Sequence, residues 1–562
     1  MKSPAPARRA ATLRSLVLIP AAAVLLVPVT AVAQPHDMST MAPPPAAPLH
    51  LFTDLGSWTH PVTATPDAQK YFDQGLRLYY GFNHAEAIRS FREAARLDPG
   101  CAMAWWGVAV SSGPNINLPM DADGAKIAME AIAQANIGLS RASAVEKDWI
   151  AALSTRYSAD PKASRAGLDS AYCDAMRKLA AKYPDDADAS ALFAESILDL
   201  NPWNQWTHEG APTPGTLEAV ATLERVLKVH PEHPGANHFY IHTVEASNDP
   251  GRALASAQRL ETLMPGAGHL VHMPSHIYAR TGRYADALER NRVAVSVDEK
   301  YIAAEKPEGI YPLMYYGHNI QFIWFTAMMQ GRSEESLAAA RKMTGVIPGE
   351  MIAQMPMLEL VPPYPVLTLI RFGKWDEALQ EPMPPASQRY ASALFHYARG
   401  VADAGLAKFD AAAAELDSVR AASAATPSDF LISINHAGQL LRIADHALAG
   451  EIATRRGQKA DGVRELRLAV ATEDSLHYDE PPTWAYPVRH LLGAALLKSG
   501  RAAEAALVYR DDLKRHPENG WSLTGLAAAL RAQGRAQEAR TIDARLAKAW
   551  TSADVKVSAS SY

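Results

Sequence analysis

The feature that most constrains the fold of this chain is a pattern that returns every 34 residues. An antiparallel pair of helices of this length cannot bury its apolar stripe alone, so successive pairs must stack and share one core. The sequence therefore predicts an all-α fold, an α-solenoid of stacked helical hairpins, which also accommodates a length of 562 residues. The pairs that lie 34 positions apart are Pro231 and Pro265, Ala253 and Ala287, Gly500 and Gly534, and Ala505 and Ala539.

One segment carries the repeat most completely. The stretch YFDQGLRLYYGFNHAEAIRSFREAARLDP places an aromatic, a small, a large apolar, an alanine, a second aromatic and a closing proline at Tyr71, Gly75, Leu78, Ala87, Phe91 and Pro99. In kind and spacing these residues resemble the tetratricopeptide-repeat (TPR) family, and residues 234–298 and 486–550 are similar. The resemblance implies a superhelix whose concave groove binds a protein or peptide.

The N-terminus predicts export. Three arginines precede an apolar run over residues 16–29, and Ala-Val-Ala at residues 31–33 forms a small-residue cleavage site. We expect residues 1–33 to be a signal peptide and the mature protein, an exported bacterial-type TPR protein, to be periplasmic or secreted without a stable membrane span. An uncleaved N-terminal membrane anchor is the less favoured alternative, because two prolines interrupt the run.

The remainder divides by composition. Residues 34–66 are rich in Pro and Ala and predict a flexible lead-in. We expect an N-terminal TPR-like array over 67–345, a C-terminal array over 346–550 and a tail over 551–562. Loop insertions rich in proline and aromatics interrupt the arrays at 199–216, 305–319 and 477–487.

Composition narrows the classes of function. The net charge of −5 and the absence of a basic tail argue against a nucleic-acid partner. No phosphate-binding loop, GxSxG elbow, HExxH or EF-hand motif occurs. The two cysteines, Cys101 and Cys173, could pair in an exported protein, but their spacing does not decide this.

Histidines provide the main candidate site. The stretches HFYIH and HMPSH each place two imidazoles four residues apart, at His238 and His242 and at His272 and His276. This spacing puts each pair on one helical face, and helices packed about 8–10 Å apart would bring the pairs together. Imidazole binds Zn, Cu, Fe and Ni, so these four residues are predicted as metal ligands, with Zn, Cu or Fe as the candidate metals.

The TPR resemblance implies further groove residues. Counted from the conserved small residue of each unit, His269, Glu245 and His318 fall at positions that face the groove in this family. They are expected to be additional ligands or to hold the ligands in place. Pro274 lies inside the helix that should carry His269 to His276, so that helix could instead begin near Pro274.

Two insertions and one carboxylate pair complete the candidates. Trp203 and Trp206 precede the histidine units and could form a lid over the groove or only cover an end of the solenoid. Residues 478–484 offer two carboxylates beside aromatics, but only strong superhelical curvature would bring them opposite the histidines. Glu195 and Asp199 also fall at groove positions.

Two functions of different classes therefore remain. The TPR resemblance favours an exported scaffold that binds a protein, a peptide or a small ligand in its concave groove. The two histidine pairs at equivalent places in consecutive units favour a metalloprotein or metal-dependent enzyme built on the same solenoid. Whether the protein is an enzyme stays open at this point.

Overall fold

The computed structural model describes residues 49–160, 162–307 and 309–562, so the predicted signal peptide lies outside the described residues. Residues 49–562 form one compact unit. Its described residues form 26 α-helices and one β-hairpin, in which the two-residue strand Leu431–Ile432 pairs with Asn435–His436. Among these helices none is long and apolar enough to cross a membrane. The predicted all-α solenoid is confirmed.

The helices of the first half are α1 (Pro66–Tyr80), α2 (His84–Leu97), α3 (Ala102–Ser111), α4 (Ala122–Ile137), α5 (Ala144–Ser154), α6 (Arg165–Lys182), α7 (Ala187–Leu198), α8 (Thr216–Val229), α9 (Pro234–Val244), α10 (Leu254–Leu263), α11 (Gly268–His272), α12 (Pro274–Arg280), α13 (Tyr284–Glu305), α14 (Tyr316–Met329) and α15 (Ser333–Val346). Those of the second half are α16 (Gly349–Gln354), α17 (Tyr364–Arg371), α18 (Trp375–Gln380), α19 (Arg389–Gly405), α20 (Phe409–Ala425), α21 (Ala437–Arg455), α22 (Lys459–Glu473), α23 (Val488–Lys498), α24 (Ala502–Arg515), α25 (Gly520–Ala532) and α26 (Ala536–Ala549).

Local sequence fixes the ends of these helices. Ser143 and Glu146 form a capping box at the start of α5, in which each side chain bonds the other residue's backbone N–H. The turns inside the last two hairpins use Gly500 and Gly534 at φ of 76° and 75°, a region that glycine enters without steric cost. The 34-residue spacing of these glycines therefore marks equivalent turns in successive hairpins.

The described part of the predicted flexible lead-in is packed on the first hairpins. The indole N–H of Trp58 donates to Asp188 (3.0 Å), and the backbone N–H of Thr63 donates to Glu146 (2.5 Å). The backbone N–H of Gly266 donates to the carbonyl of Asp54 (2.8 Å). Residues 49–65 are therefore packed, whereas their composition predicts a flexible segment. The reason is that Trp58 and Thr63 form hydrogen bonds with buried residues, and composition alone does not reveal these partners.

The solenoid curves until its C-terminal hairpins touch its middle. The indole N–H groups of Trp521 and Trp550 donate to the carbonyls of Met328 and Met329 (2.9 and 3.0 Å), at the end of α14. Arg280, at the end of α12, donates to the carbonyl of Arg515 (2.7 Å). This curvature brings the loop that follows α22 to the centre of the first half.

The tail, residues 551–562, follows the C-terminal hairpins. The hydroxyl of Ser560 donates to the carbonyl of His490 (2.7 Å), and the ring of Tyr562 lies 6.2 Å from that of Trp521. Asp554 accepts from the backbone N–H groups of Ser333 and Glu334 (2.7 and 3.0 Å) at the start of α15. The tail therefore ties the C-terminal hairpins to the middle of the array.

Candidate metal centre

Three successive inner helices carry the histidines to one place. α9 holds His238 and His242, the α11–α12 pair holds the next three, and α14 holds His318. α12 begins at Pro274, as the proline predicts, but His269 and His272 lie on the short helix α11 rather than on a loop. Met273 keeps helical dihedral angles of −51° and −35°, so both helices continue in nearly one direction.

The six histidines form two groups of three. The first cluster consists of His238, His242 and His269, and the second cluster of His272, His276 and His318. In each cluster one ring nitrogen per residue lies within 4.8 Å of the other two. The four predicted ligands are thus split between the clusters, and each cluster is completed by a histidine expected only as an additional ligand.

The clusters lie side by side. The ring centroids of His242 and His276 are 5.7 Å apart, as are those of His269 and His272. Two ions bound by these clusters would therefore be neighbours.

Backbone and amide oxygens orient a histidine in each cluster. Nδ1–H of His238 donates to the carbonyl of Tyr80 (2.7 Å), which can only accept. Nδ1–H of His272 donates to Oδ1 of Asn291 (2.6 Å), whose amide nitrogen is itself committed to the carbonyl of Ala287 and to Ser275. Each acceptor holds the proton on Nδ1 and leaves the lone pair on Nε2, the arrangement of a metal-ligating histidine.

One carboxylate joins the two clusters. Glu245 accepts from Nδ1 of His242 in the first cluster (2.8 Å) and from Nδ1 of His276 in the second (2.6 Å). Burial would raise the pKa of Glu245, but its interactions with His276 and His242 outweigh this effect and lower the pKa to about 2. Glu245 is therefore ionised and fixes both Nδ1 protons, so it orients ligands in both clusters.

These anchors leave an unusual contact in the second cluster. Nε2 of His272 lies 2.9 Å from Nε2 of His276, although the Nδ1 anchors place a lone pair on both atoms. Two lone pairs at this distance repel unless a cation lies between them, either a shared proton or a metal ion. In the first cluster Nε2 of His238 lies 3.2 Å from Nε2 of His269, and Nε2 of His242 has no hydrogen-bond partner among the described residues.

The centre is dry. Five of the six rings belong to residues at most 3% exposed, and His318 is half-buried. Burial lowers the pKa of His238, His269 and His272 well below the usual value and that of His318 to about 3. Burial therefore favours the neutral form of these four imidazoles, the form that binds metals, and the six rings are too buried to line an open peptide groove.

A phenylalanine covers each cluster. Phe82 lies within 6.1 Å of all three rings of the first cluster, and Phe322 within 5.1 Å of all three rings of the second. Phe82 has a φ of 56°, a left-handed conformation that costs roughly 1–3 kcal/mol for a bulky residue. The surrounding packing therefore holds this ring against the histidines.

An open cavity of about 820 Å³ reaches the edge of the centre. Trp203 lines it and meets the ring of His242 edge-on at 5.4 Å, while the indole N–H of Trp206 donates to the carbonyl of Thr243 (2.7 Å). Tyr478 also lines this cavity, and its hydroxyl lies 3.4 Å from Oε2 of Glu245. The curvature thus brings residues 478–484 opposite the histidines, and Trp203 lies between the cavity and the first cluster.

Other candidates belong to separate networks. Glu195 and Asp199 are buried with Arg156, whose guanidinium donates to Asp199 (2.5 Å), so they do not join the histidines. A further group, His60 with Asp186 and Asp188, is accounted for by hydrogen bonds, because His60 donates to Asp188. Cys101 and Cys173 are both buried and free.

Several residues of the centre escape sequence reasoning. Tyr80, Phe82 and Asn291 lie in other helices or turns and carry no metal-binding signature. Asn291 follows His272 by nineteen positions, a spacing that brings two residues together across a helical hairpin. This contact can be predicted only when the geometry of the hairpin is known.

Comparisons with known proteins identify no relative. No family model matches the chain, and no curated protein matches it. Solved structures match over most of the chain at low similarity: a human IFIT1 dimer with m7Gppp-AAAA (12% identity, 86% of this chain and 90% of that one, TM-score 0.34), yeast Tom70 (12%, 86% and 91%, 0.26) and the TPR domain of P58(IPK) (13%, 86% and 93%, 0.20). All three TM-scores lie below 0.5, so these likenesses carry no argument about function, which has to be argued from the histidine centre.

Proposed function

We propose that this protein is a metalloprotein in which the first and second clusters each bind one metal ion through three imidazoles. The observation that carries the proposal is the 2.9 Å contact between the Nε2 atoms of His272 and His276. A shared proton would explain one such contact. It leaves the buried Nε2 of His242, which has no hydrogen-bond partner among the described residues, unexplained. The 3.2 Å contact of the first cluster is an ordinary hydrogen bond, in which His269, whose Nδ1 has no partner, donates Nε2–H to Nε2 of His238.

Electrostatics favours metal ions over shared protons. A proton bound between two neutral imidazoles is held by two nitrogen atoms only and remains a buried charge, which is costly. A metal ion takes three nitrogen ligands at once and offsets this cost with three bonds. Glu245 supplies one negative charge to both clusters, and its position between them suits two neighbouring cations.

Metal content tests the proposal directly. The protein, exported and purified without chelator or histidine tag, is expected to retain close to two metal ions per chain by mass spectrometry. The double variant His242→Ala, His276→Ala removes one ligand from each cluster and should lose both ions.

A matched control uses two histidines outside the centre. His396 and His446 each donate Nδ1–H to a glutamate, Glu415 and Glu465, as the cluster histidines do to Glu245. The variant His396→Ala, His446→Ala should therefore keep the metal. If the unaltered protein binds no Zn, Cu or Fe even after incubation with these ions, the proposal is wrong.

We also propose that the protein works after export, in the periplasm or outside the cell, on the basis of residues 1–33. A second candidate function, capture of a peptide or small ligand, is favoured by the cavity of about 820 Å³ beside the centre. Substituting Trp203 by Ala would weaken such a ligand without removing metal. If the cavity only serves as the entrance to the clusters, the same substitution would leave the affinity for a peptide or small ligand unchanged.

A further inference from the structure

We propose that the two clusters bind a pair of copper ions that take up dioxygen between them. This inference rests on the proposed function and specifies the metal and the small molecule that the centre binds. It is carried by the ligand set, the buried charge and the aromatic cover, which are considered in turn.

The ligand set selects among metals. Both clusters consist of imidazole alone, and no carboxylate or thiolate completes either group of three. Imidazole suits Zn, Cu, Fe and Ni, and among these divalent ions copper binds nitrogen ligands most strongly. Three ligands per ion also leave an open position on each, so a small molecule can bind both ions at once.

The charge of the site favours the lower oxidation state of copper. Two Zn(II) ions bring four positive charges into a site whose neutral imidazoles cancel none of them, whereas two Cu(I) ions bring two. Among the described residues, Glu245 is the one carboxylate that contacts the cluster histidines at hydrogen-bond distance. Glu480 accepts from the hydroxyl of Tyr478 (2.8 Å), which in turn lies 3.4 Å from Glu245.

The uptake of dioxygen preserves that charge. Each Cu(I) gives one electron to O₂, which becomes peroxide bound between two Cu(II) ions, and no proton or leaving group is needed. The two charges added to the metals are balanced by the two on peroxide, so the net charge of the buried centre does not change. The reverse transfer releases dioxygen and restores both Cu(I) ions.

The surroundings suit a small apolar molecule. Phe82 and Phe322 each cover one cluster, and Tyr315 meets the ring of His269 edge-on at 4.8 Å. Trp203 separates the first cluster from the cavity. Apolar aromatic surface against the clusters suits a small apolar molecule such as dioxygen better than an anion, because burying an unpaired charge is costly.

The test loads the full chain with Cu(I) under argon and then admits dioxygen. We expect two copper ions per chain, uptake of one dioxygen per two copper ions, and a shift of the copper X-ray absorption edge from Cu(I) to Cu(II). Removing dioxygen should return the edge. In the single variant His269→Ala uptake should fall from one dioxygen per chain to background, whereas His446→Ala should take up the full amount.

Each outcome bears on one proposal. Two zinc ions that Cu(I) does not replace, or two copper ions that leave dioxygen unconsumed, would overturn the dioxygen inference and leave the metal centre standing. Absence of any bound metal would overturn the metal centre itself. Circular dichroism of the His269→Ala variant shows whether a loss of dioxygen uptake reflects a loss of folding. If this variant does not fold, the shift of the copper absorption edge in the unaltered protein decides whether the dioxygen inference holds.

Discussion

Glu245 acts on both clusters because each of its oxygens accepts from a histidine of a different cluster. A carboxylate in this position holds the imidazole tautomer and raises the basicity of the ligating nitrogen. A neutral amide keeps the shape but can orient its oxygen toward only one of the two rings. The other ring would then face an N–H group.

The substitution Glu245→Gln should therefore weaken metal binding without unfolding the protein. We expect a loss of about 10- to 100-fold in affinity, measured by competition with a chelator of known affinity. Glu465→Gln is the matched control, because Glu465 accepts from Nδ1 of His446 (2.9 Å) in the same way. Equal affinities of the two variants would show that Glu245 does not position the ligands.

The division into two clusters makes a prediction about stoichiometry. His269→Ala removes a ligand from the first cluster only, and His318→Ala removes one from the second only. Each variant should bind about half the metal of the unaltered protein, and the double variant almost none. Loss of all metal in either single variant would mean that the six histidines hold one shared site.

Among the helices, α9 follows from the sequence almost completely, because a spacing of four residues fixes His238 and His242 on one face without any tertiary information. The α11–α12 pair does not, since Pro274 makes two courses possible and only packing decides between them. The assignment of His269 to one cluster and His318 to the other depends on the angle between successive hairpins. That angle is set by side chains spread over the whole core, so spacing alone cannot give it.

The start of α23 provides a test of pH dependence. Glu473 accepts the backbone N–H of Val488 through both oxygens (3.2 Å each), and burial raises its pKa to about 8 despite nearby Arg489. A raised folded-state pKa contributes stability that is complete below about pH 4.5 and is lost as the pH rises toward 8.

Replacing Glu473 by Gln removes this titration. The difference in unfolding free energy between Glu473→Gln and the unaltered protein should therefore move in favour of the variant from pH 4.5 to 8, as followed by chemical denaturation. Glu465→Gln should show no such trend between pH 4.5 and 8, because His446 and Arg464 lower the pKa of Glu465 against the effect of burial and so confine its titration to lower pH. A parallel pH course for both variants would contradict the assignment.

In the whole molecule, curvature decides what meets the centre. Residues 478–484 reach Glu245 across more than 200 positions because Trp521 and Trp550 fasten the last hairpins to α14. The repeat pattern predicts stacked hairpins, but the sequence does not predict how far the stack bends. The opposing loop and the packed tail were therefore beyond sequence reasoning.

This closure predicts which contacts are coupled to metal binding. A metal that binds only the folded state at 100 times its Kd stabilises it by about 2.7 kcal/mol. Asp554→Ala removes the cap of α15 and should cost about 1 kcal/mol with or without metal, because Asp554 contacts neither cluster. Tyr478→Phe, which removes a hydroxyl 3.4 Å from Glu245, should instead reduce the metal-dependent gain. Thermal unfolding of both variants with and without metal separates the effects. If the stabilisation by metal falls equally in both variants, the contact between the C-terminal hairpins and the middle of the array itself shapes the centre.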